Sequence, residues 1–170
     1  MRLENLLAQK KNEIVEDWFN RLIETYPAET APFFKSQKDP FANPVGNAAR
    51  HGIESIYKEL LGEMNASVII PSLDPLIRIR AVQTMFKASQ AVGFIFILKK
   101  TIRNKLKKEL QDHQLQNELL DFESKIDELA LIGFNIFMEC REKIAALKAN
   151  ELKDRTLRAF ERAGLVVGES

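Results

Sequence analysis

The chain has 170 residues, 45% of them hydrophobic, with 25 lysines and arginines against 24 aspartates and glutamates and a net charge of +1. That length supports one domain with its own core, and the near-zero charge excludes a molecule-wide field that would gather nucleic acid or anionic membrane. The single cysteine, Cys140, excludes an intramolecular disulfide; the opening residues lack the apolar stretch of a secretory signal and the longest apolar run, residues 91–98, is less than half a membrane span, so a reducing cytoplasm is the expected compartment.

Along residues 3–26 the apolar side chains Leu3, Leu6, Leu7, Ile14, Trp18 and Leu22 recur at three- and four-residue spacing, which predicts an amphipathic helix ended by Pro27. Residues 28–36 can form a short turn of helix. Asp39-Pro40-Phe41-Ala42-Asn43-Pro44-Val45-Gly46 reads as a loop, because each proline restricts the residue before it. Asn43 as N-cap and Pro44 as first residue then start a helix to about residue 63, with Ile53, Ile56, Leu60 and Leu61 as its buried stripe.

Residues 76–82 alternate in a way that also fits a strand, but a lone strand has no partner. Asp74 as N-cap and Pro75 as first residue predict a helix to about Met85 instead. Ser89 is expected to cap a helix to about Asp112, apolar all round at first and reduced after Lys99 to Ile102, Leu106 and Leu110. After a turn near His113 no proline follows, and no glycine but Gly133 until Gly164, so the chain can run as one helix. Roughly fifty residues at about 1.5 Å each would reach about 75 Å, beyond the width of a body built from ordinary helices.

This last helix changes character along its length. Residues 129–138 are apolar on nearly every face and belong in the core, where Gly133 is expected to cross Gly93 closely. Beyond Arg141 the apolar content thins to a seam of Ala145, Ala149, Leu152, Thr156, Ala159 and Ala163, spaced as in a narrow coiled-coil contact. Residues 145–163 are therefore expected either to project toward a partner or a second copy, or to dock along the protein's own N-terminal helix. The fold class is all-α: one domain over residues 1–170, a helical bundle with a long C-terminal helix, for which a globin-like arrangement is one option.

Chemistry-bearing residues are few. His51 reads as a helix-boundary histidine and His113 as a residue at a helix C-terminus, where the dipole favours it; a haem or metal role is the competing reading. No Glu-x-x-His pair, Gly-rich phosphate loop, His-Glu-x-x-His or Cys-x-x-Cys pattern occurs, so no catalytic, cofactor or metal site is expected. Cys140 beside Arg141 reads as an inert helix cysteine rather than a redox thiol. Arg78, Arg80, Lys99 and Asp127 are charges embedded in apolar sequence. Only one of Arg78 and Arg80 can face inward, and that one needs a carboxylate, for which Asp127 is the candidate. The four are weak candidates for an anionic-ligand site, against the alternative of a structural ion pair. The basic run 103–108 reads as a solvated face.

Several separated pieces together resemble the N-terminal domain of RsbRD-type proteins, the RsbT co-antagonist family of bacterial stress-signalling sensors: Trp18, Tyr26-Pro27, the 39–46 loop, Arg78-Ile79-Arg80-Ala81-Val82-Gln83, Ser89 with Ala91-Val92-Gly93-Phe94, Leu98-Lys99-Lys100, Asp127, Cys140-Arg141-Glu142-Lys143 and Asn150-Glu151. They extend over about residues 5–163. The resemblance implies a non-enzymatic helical input module that in relatives precedes an output region such as a STAS domain or a kinase core, and it transfers no catalytic or ligand-binding residues. Asn47 stands where relatives are expected to carry histidine. The chain ends at Ser170 without room for an output domain, so it is expected either to act by binding partners or to be a fragment. The function expected is a sensor-like regulatory module, cytoplasmic and homodimeric, with a STAS-type or kinase-type protein partner; the alternative is a small-ligand or haem-binding helical carrier.

Overall fold

The computed structural model describes residues 2–165. Seven α-helices follow one another: α1 (Leu3–Gln9), α2 (Lys11–Ile23), α3 (Ala31–Ser36), α4 (Pro44–Leu61), α5 (Ala66–Val82), α6 (Ala88–Lys105) and α7 (His113–Arg162), with a 3-10 turn at Glu109–Gln111 before the last. There is no strand among the described residues, so the alternation at residues 76–82 belongs to a helix, and the all-α expectation holds. Among the described residues no helix is long and apolar enough to cross a membrane.

The expected first helix is two. At Lys10 the backbone departs from helical angles (φ −93°, ψ 11°), although Lys10 N still donates to Leu6 O and Ile14 N to Lys10 O. The break lies in the polar stretch between two apolar patches, and the Lys10 ammonium holds the far side of the bundle, donating to Lys105 O at 2.9 Å and to Glu109 at 2.8 Å. α4 begins as its sequence dictates: Asn43 Oδ1 accepts from Gly46 N at 2.9 Å, and Pro44 takes the first position. At its other end Lys125 of α7 donates to Leu60 O and Gly62 O, satisfying carbonyls that the last turn leaves free.

α5 starts about two and a half turns before the expected cap Asp74. Its cap is Asn65, whose Oδ1 accepts from Ser67 N at 3.0 Å, and Pro71 and Pro75 both lie inside the helix. Interior prolines each remove a backbone hydrogen bond. Here both face solvent, and they stand four residues apart on one side of the helix, so water can reach the carbonyls they leave free. The opposite side, Ile69, Leu73, Leu76 and Ile77, is buried and holds the helix against its neighbours. α6 starts at Ala88 rather than after Ser89, with Gln90 Oε1 accepting from Lys87 N at 3.0 Å, and it ends at Lys105, short of the expected Asp112.

The core is sealed by a few specific contacts. Trp18 is fully buried, stacks on Phe94 and donates its indole N–H to Phe94 O at 2.8 Å, pinning α2 to α6. Tyr57, also fully buried, donates to Leu7 O at 3.0 Å, and burial pushes its phenol pKa up, so it stays a neutral donor. α4 and α5 approach closely at Gly52, where a Cβ would lie 2.7 Å from Ser72 O and 3.2 Å from Leu76 Cδ1. The expected Gly93–Gly133 crossing is half right. A Cβ on Gly133 would touch Ile95, Val92 and Leu73, whereas one on Gly93 would meet nothing within 4 Å. Gly93 lies on the outer side of α6 and takes no part in the crossing.

The Gly52 contact makes a testable demand. Alanine would favour the helix by roughly 1 kcal/mol, yet its methyl must push apart two packed backbones at a cost of about 1–3 kcal/mol. Because the nearest atom is a backbone oxygen, the cost falls in the upper part of that range, and Gly52→Ala is expected to destabilise the fold by a net of about 1–2 kcal/mol in urea unfolding; an unchanged or raised midpoint would show that the crossing is slack.

Candidate functional site

The four embedded charges divide into separate structures. Arg78 lies on the exposed side of α5 and forms a bidentate pair with Asp74 one turn back (2.7 and 3.0 Å), which raises its pKa. Lys99 pairs with Asp127 at 2.6 Å across α6 and α7, with Asp127 half exposed. Arg80 is fully buried. The inward arginine is Arg80, and the expected pair between it and Asp127 does not form: Asp127 sits at the surface between α6 and α7, and Arg80 is held without a carboxylate.

What replaces the carboxylate is a set of neutral acceptors and ring faces. Arg80 Nη2 donates to Thr25 Oγ1 at 2.6 Å and to Leu22 O at 3.4 Å, and Nη1 donates to Gln90 O at 3.1 Å. Leu22 O belongs to the last turn of α2, the negative end of that helix. The rings of Tyr26, Phe86 and Phe94 lie 4.8, 4.8 and 5.1 Å from the guanidinium carbon, each offering the negative face of its quadrupole. Burial lowers the pKa of Arg80, and Tyr26 partly offsets this; a guanidinium stays protonated all the same. Its Nε remains without a partner, as do Arg141 Nε and Gln83 Oε1. Arg141 in turn donates to Phe86 O at 3.1 Å and lies over Phe137, so the loop between α5 and α6 is tied both to Arg80 beneath it and to α7 beside it.

The basic run beginning at Arg103 is not only a solvated face. Arg103 forms a bidentate pair with Glu123 (2.7 and 2.8 Å), whose side chain is largely buried, and the carboxylate raises the guanidinium pKa. Asp17 links α2 to α6 by accepting from Arg21 and from the buried Thr101 hydroxyl. Burial pushes its carboxyl up, but those hydrogen bonds outweigh burial and hold it below its usual range.

Neither histidine sits as expected. His51 lies in the middle of α4, exposed, with Nδ1 2.8 Å from Asn47 O, because the helix extends well beyond it on both sides. His113 is the first residue of α7, next to the cap Asp112, which accepts from Gln114 N. It therefore faces the positive rather than the negative end of a helix dipole. No group of three potential metal ligands occurs among the described residues, and Cys140 is buried.

The surface is more informative than the interior. Cys140 is the last buried residue of α7, and residues 145–165 are exposed throughout. The segment thus extends from the body unburied by any described residue, those of the N-terminal helices α1 and α2 included. Ala145, Ala149, Leu152, Thr156, Ala159 and Ala163 share one side of this projection, with Phe160 beside them; Leu152 is 67% and Phe160 46% exposed. A second apolar face lies on the body, where α6 and α7 border a hollow of about 570 Å³ lined by Gly93, Phe96, Ala130, Leu131 and Phe134 among others. Sequence reasoning placed this stretch wholly in the core. The outward spacing of Leu131, Phe134 and Met138 was the available signal, hidden by apolar residues on every other side.

A family model described as the RsbT co-antagonist protein rsbRD N-terminal domain matches residues 12–152. No curated protein and no solved structure matches the chain. The matched span covers α2 to α6, the core-forming half of α7 and the first part of its projection.

The surroundings of Arg80 separate a structural from a ligand-binding role. A ligand-binding arginine held without counter-charge should gain stability when replaced, whereas one that ties three helices together should lose it. Arg80→Lys is expected to cost about 2–4 kcal/mol in urea unfolding, since an ammonium cannot reach the three acceptors and lie flat against the rings together. Arg80→Met, similar in volume and apolar, should cost less; stabilisation by both variants would make Arg80 a binding residue.

Proposed function

The chain belongs to the RsbT co-antagonist protein rsbRD N-terminal domain family, and from that membership we propose that it is a non-enzymatic, sensor-like regulatory domain of bacterial stress-type signalling. It acts through contact with other proteins, works as a homodimer, and delivers its state along the projecting half of α7. The family description carries RsbT in its name, and the partner proposed is a STAS-type or kinase-type signalling protein.

The observation that carries this reading is the projection itself. Twenty-two residues of regular helix from Arg141 to Arg162 leave a body whose last buried contribution to α7 is Cys140. From Ala145 onward this helix receives no tertiary burial, so its amphipathic side is unspent surface. Leu147, Leu152 and Phe160 stay in solvent, which in a domain of this size favours a helix-in-groove or helix-pairing contact. The chemistry-bearing residues offer no competing site: the buried arginine is consumed by structure, and the histidines stand apart from one another on α4 and at the start of α7.

A chain ending at Lys148 is expected to keep its melting temperature within a few degrees, because it loses no buried residue, but to lose binding to purified RsbT-type kinase and STAS-type proteins in titration calorimetry. Truncated and full-length chains that bind equally would remove the output role from α7. Failure of the full-length chain to bind either protein would remove the proposed partners.

A further inference from the structure

Most cations on the surface of the body meet a carboxylate of their own: Lys10 pairs with Glu109, Arg78 with Asp74, Lys99 with Asp127 and Arg103 with Glu123. The hollow between α2, α3 and the start of α4 differs. It has a volume of about 540 Å³, and Lys35 of α3, Lys38 of the following loop and Arg50 of α4 converge on it against one lining carboxylate, Glu16 of α2. Lys35 reaches out to Glu24 at 3.1 Å, an exposed group outside the lining, and Lys38 forms no ion pair among the described residues. Cations brought together from three elements repel one another, and here the lining keeps an excess of two positive charges. The walls are held firmly. The buried Asn43 side chain donates to Phe34 O and Gln37 O at 3.0 and 2.9 Å and accepts from Gly46 N at 2.9 Å, which fixes the end of α3 against the start of α4. Arg50 lies 4.0 Å over the Phe19 ring and donates to Glu16 at 2.7 Å, so its guanidinium is oriented in advance.

We propose that this hollow binds a small phosphate-bearing anion, either inorganic phosphate or the phosphomonoester of a small metabolite, through Lys35, Lys38 and Arg50. The inference rests on the sensor-like part of the function proposed above and names the chemical class that is sensed. A phosphate dianion matches the two excess charges, the planar guanidinium fork suits its oxygens, and the two ammonium groups add point charges from the other side. The size agrees, since clefts for small ligands run from roughly 300 to 1,000 Å³. Gln37 adds a neutral donor: its side-chain oxygen is taken by Asp39 N, which leaves its amide N–H groups for the ligand. The first turn of α4 borders the hollow too, but its Gly46 N–H is spent on Asn43, so the side chains and not the helix end carry the site. A nucleic acid is not the occupant, because a chain of net charge +1 with one such hollow lacks the row of cations that a phosphate backbone requires. The place in the fold suits an input. Phe34, one wall of the hollow, packs edge-on against Tyr26 at 5.2 Å, and the Tyr26 ring lies 4.8 Å from the Arg80 guanidinium carbon, so a ligand here borders the contacts that lead through Phe86 and Arg141 to α7.

The test is titration calorimetry of the full chain with inorganic phosphate and with glycerol 3-phosphate, at about 0.1 M salt so that charges more than about 10 Å away are screened. Circular dichroism checks that each variant folds. At least one of the two ligands should bind saturably with a Kd of about 1 mM or tighter, a reasonable strength for so few atoms, while glycerol should not bind. The tighter of the two identifies the source as free phosphate or a phosphomonoester. Lys35→Gln combined with Lys38→Gln alters only surface positions, so it should keep the melting temperature and weaken binding by roughly tenfold or more. Arg50→Lys keeps the charge but loses the fork, and should weaken binding by roughly fivefold or more. Glu16→Gln removes the opposing carboxylate and should tighten binding, a gain that a merely structural role for Glu16 would not produce. Lys108→Gln, in the basic run after α6 and outside the hollow, should leave binding unchanged. No saturable binding of either ligand at about 10 mM, binding indifferent to the Lys35 and Lys38 changes, or an equal loss from Lys108→Gln would each overturn the proposal. The partner titration of α7 uses other ligands and other residues, so its outcome stands apart from this one.

Discussion

Arg80 is a permanent cation in the middle of an apolar bundle, and the arrangement of α2, α5 and α6 follows from how its charge is accommodated. Removal from water must be offset by interactions in the interior, and a single carboxylate is the common solution. Here the task is spread over Thr25 Oγ1, the carbonyls of Leu22 and Gln90, and three aromatic faces. Each is weak alone, and they work only together. That requirement fixes where α2 must end, where α6 must begin, and which residues of the intervening segments carry rings.

The same residues extend the constraint outward. Phe94 offers its ring to Arg80, stacks on Trp18 and accepts the indole hydrogen bond with its carbonyl, so one position of α6 serves both the cation and the largest core side chain. Phe86 gives its ring to Arg80 and its carbonyl to Arg141 on α7. Arg141 follows Cys140, the point at which α7 loses contact with the body. The buried guanidinium and the root of the projecting helix are therefore two hydrogen-bonding and stacking steps apart. Coupling by that route would need two arrangements of the α5–α6 loop, and the unpartnered Nε groups of Arg80 and Arg141 together with Gln83 Oε1 mark where this packing is least completely satisfied.

Where local chemistry decides, the sequence was readable. Asn43-Pro44 starts α4 through a cap hydrogen bond made within three residues, and the stretch without proline after His113 is the single helix α7. Where tertiary context decides, it was not. Pro71 and Pro75 signal a helix start by their own preference, yet both lie within α5 because their side of it faces water and the other side is buried. That one of Arg78 and Arg80 faces inward was legible, though not which; the partners of Arg80 lie far away in the chain and are neutral, so a search for a carboxylate led to Asp127. His113 sits at the right boundary, but on the opposite end of a dipole from the one expected, because the turn before it belongs to a 3-10 segment rather than to α6.

The site was legible in kind and misplaced in detail for a related reason. Apolar periodicity reports that a residue will avoid water, without reporting whether its own chain or another provides the cover. Residues 129–138 are apolar on all sides, and a monomer can cover only part of that circumference: Leu129, Ala130, Gly133, Ile136 and Phe137 are buried, while Leu131, Phe134 and Met138 remain exposed. The thinner seam after Arg141 has no body beside it at all. The two surfaces differ in what they ask of a partner, the first offering a hollow beside aromatic knobs with its charge already neutralised, the second small side chains beside Lys148, Arg155 and Arg162. A regulatory domain that addresses more than one protein gains from that difference, since a single face serving both would set one contact in competition with the other.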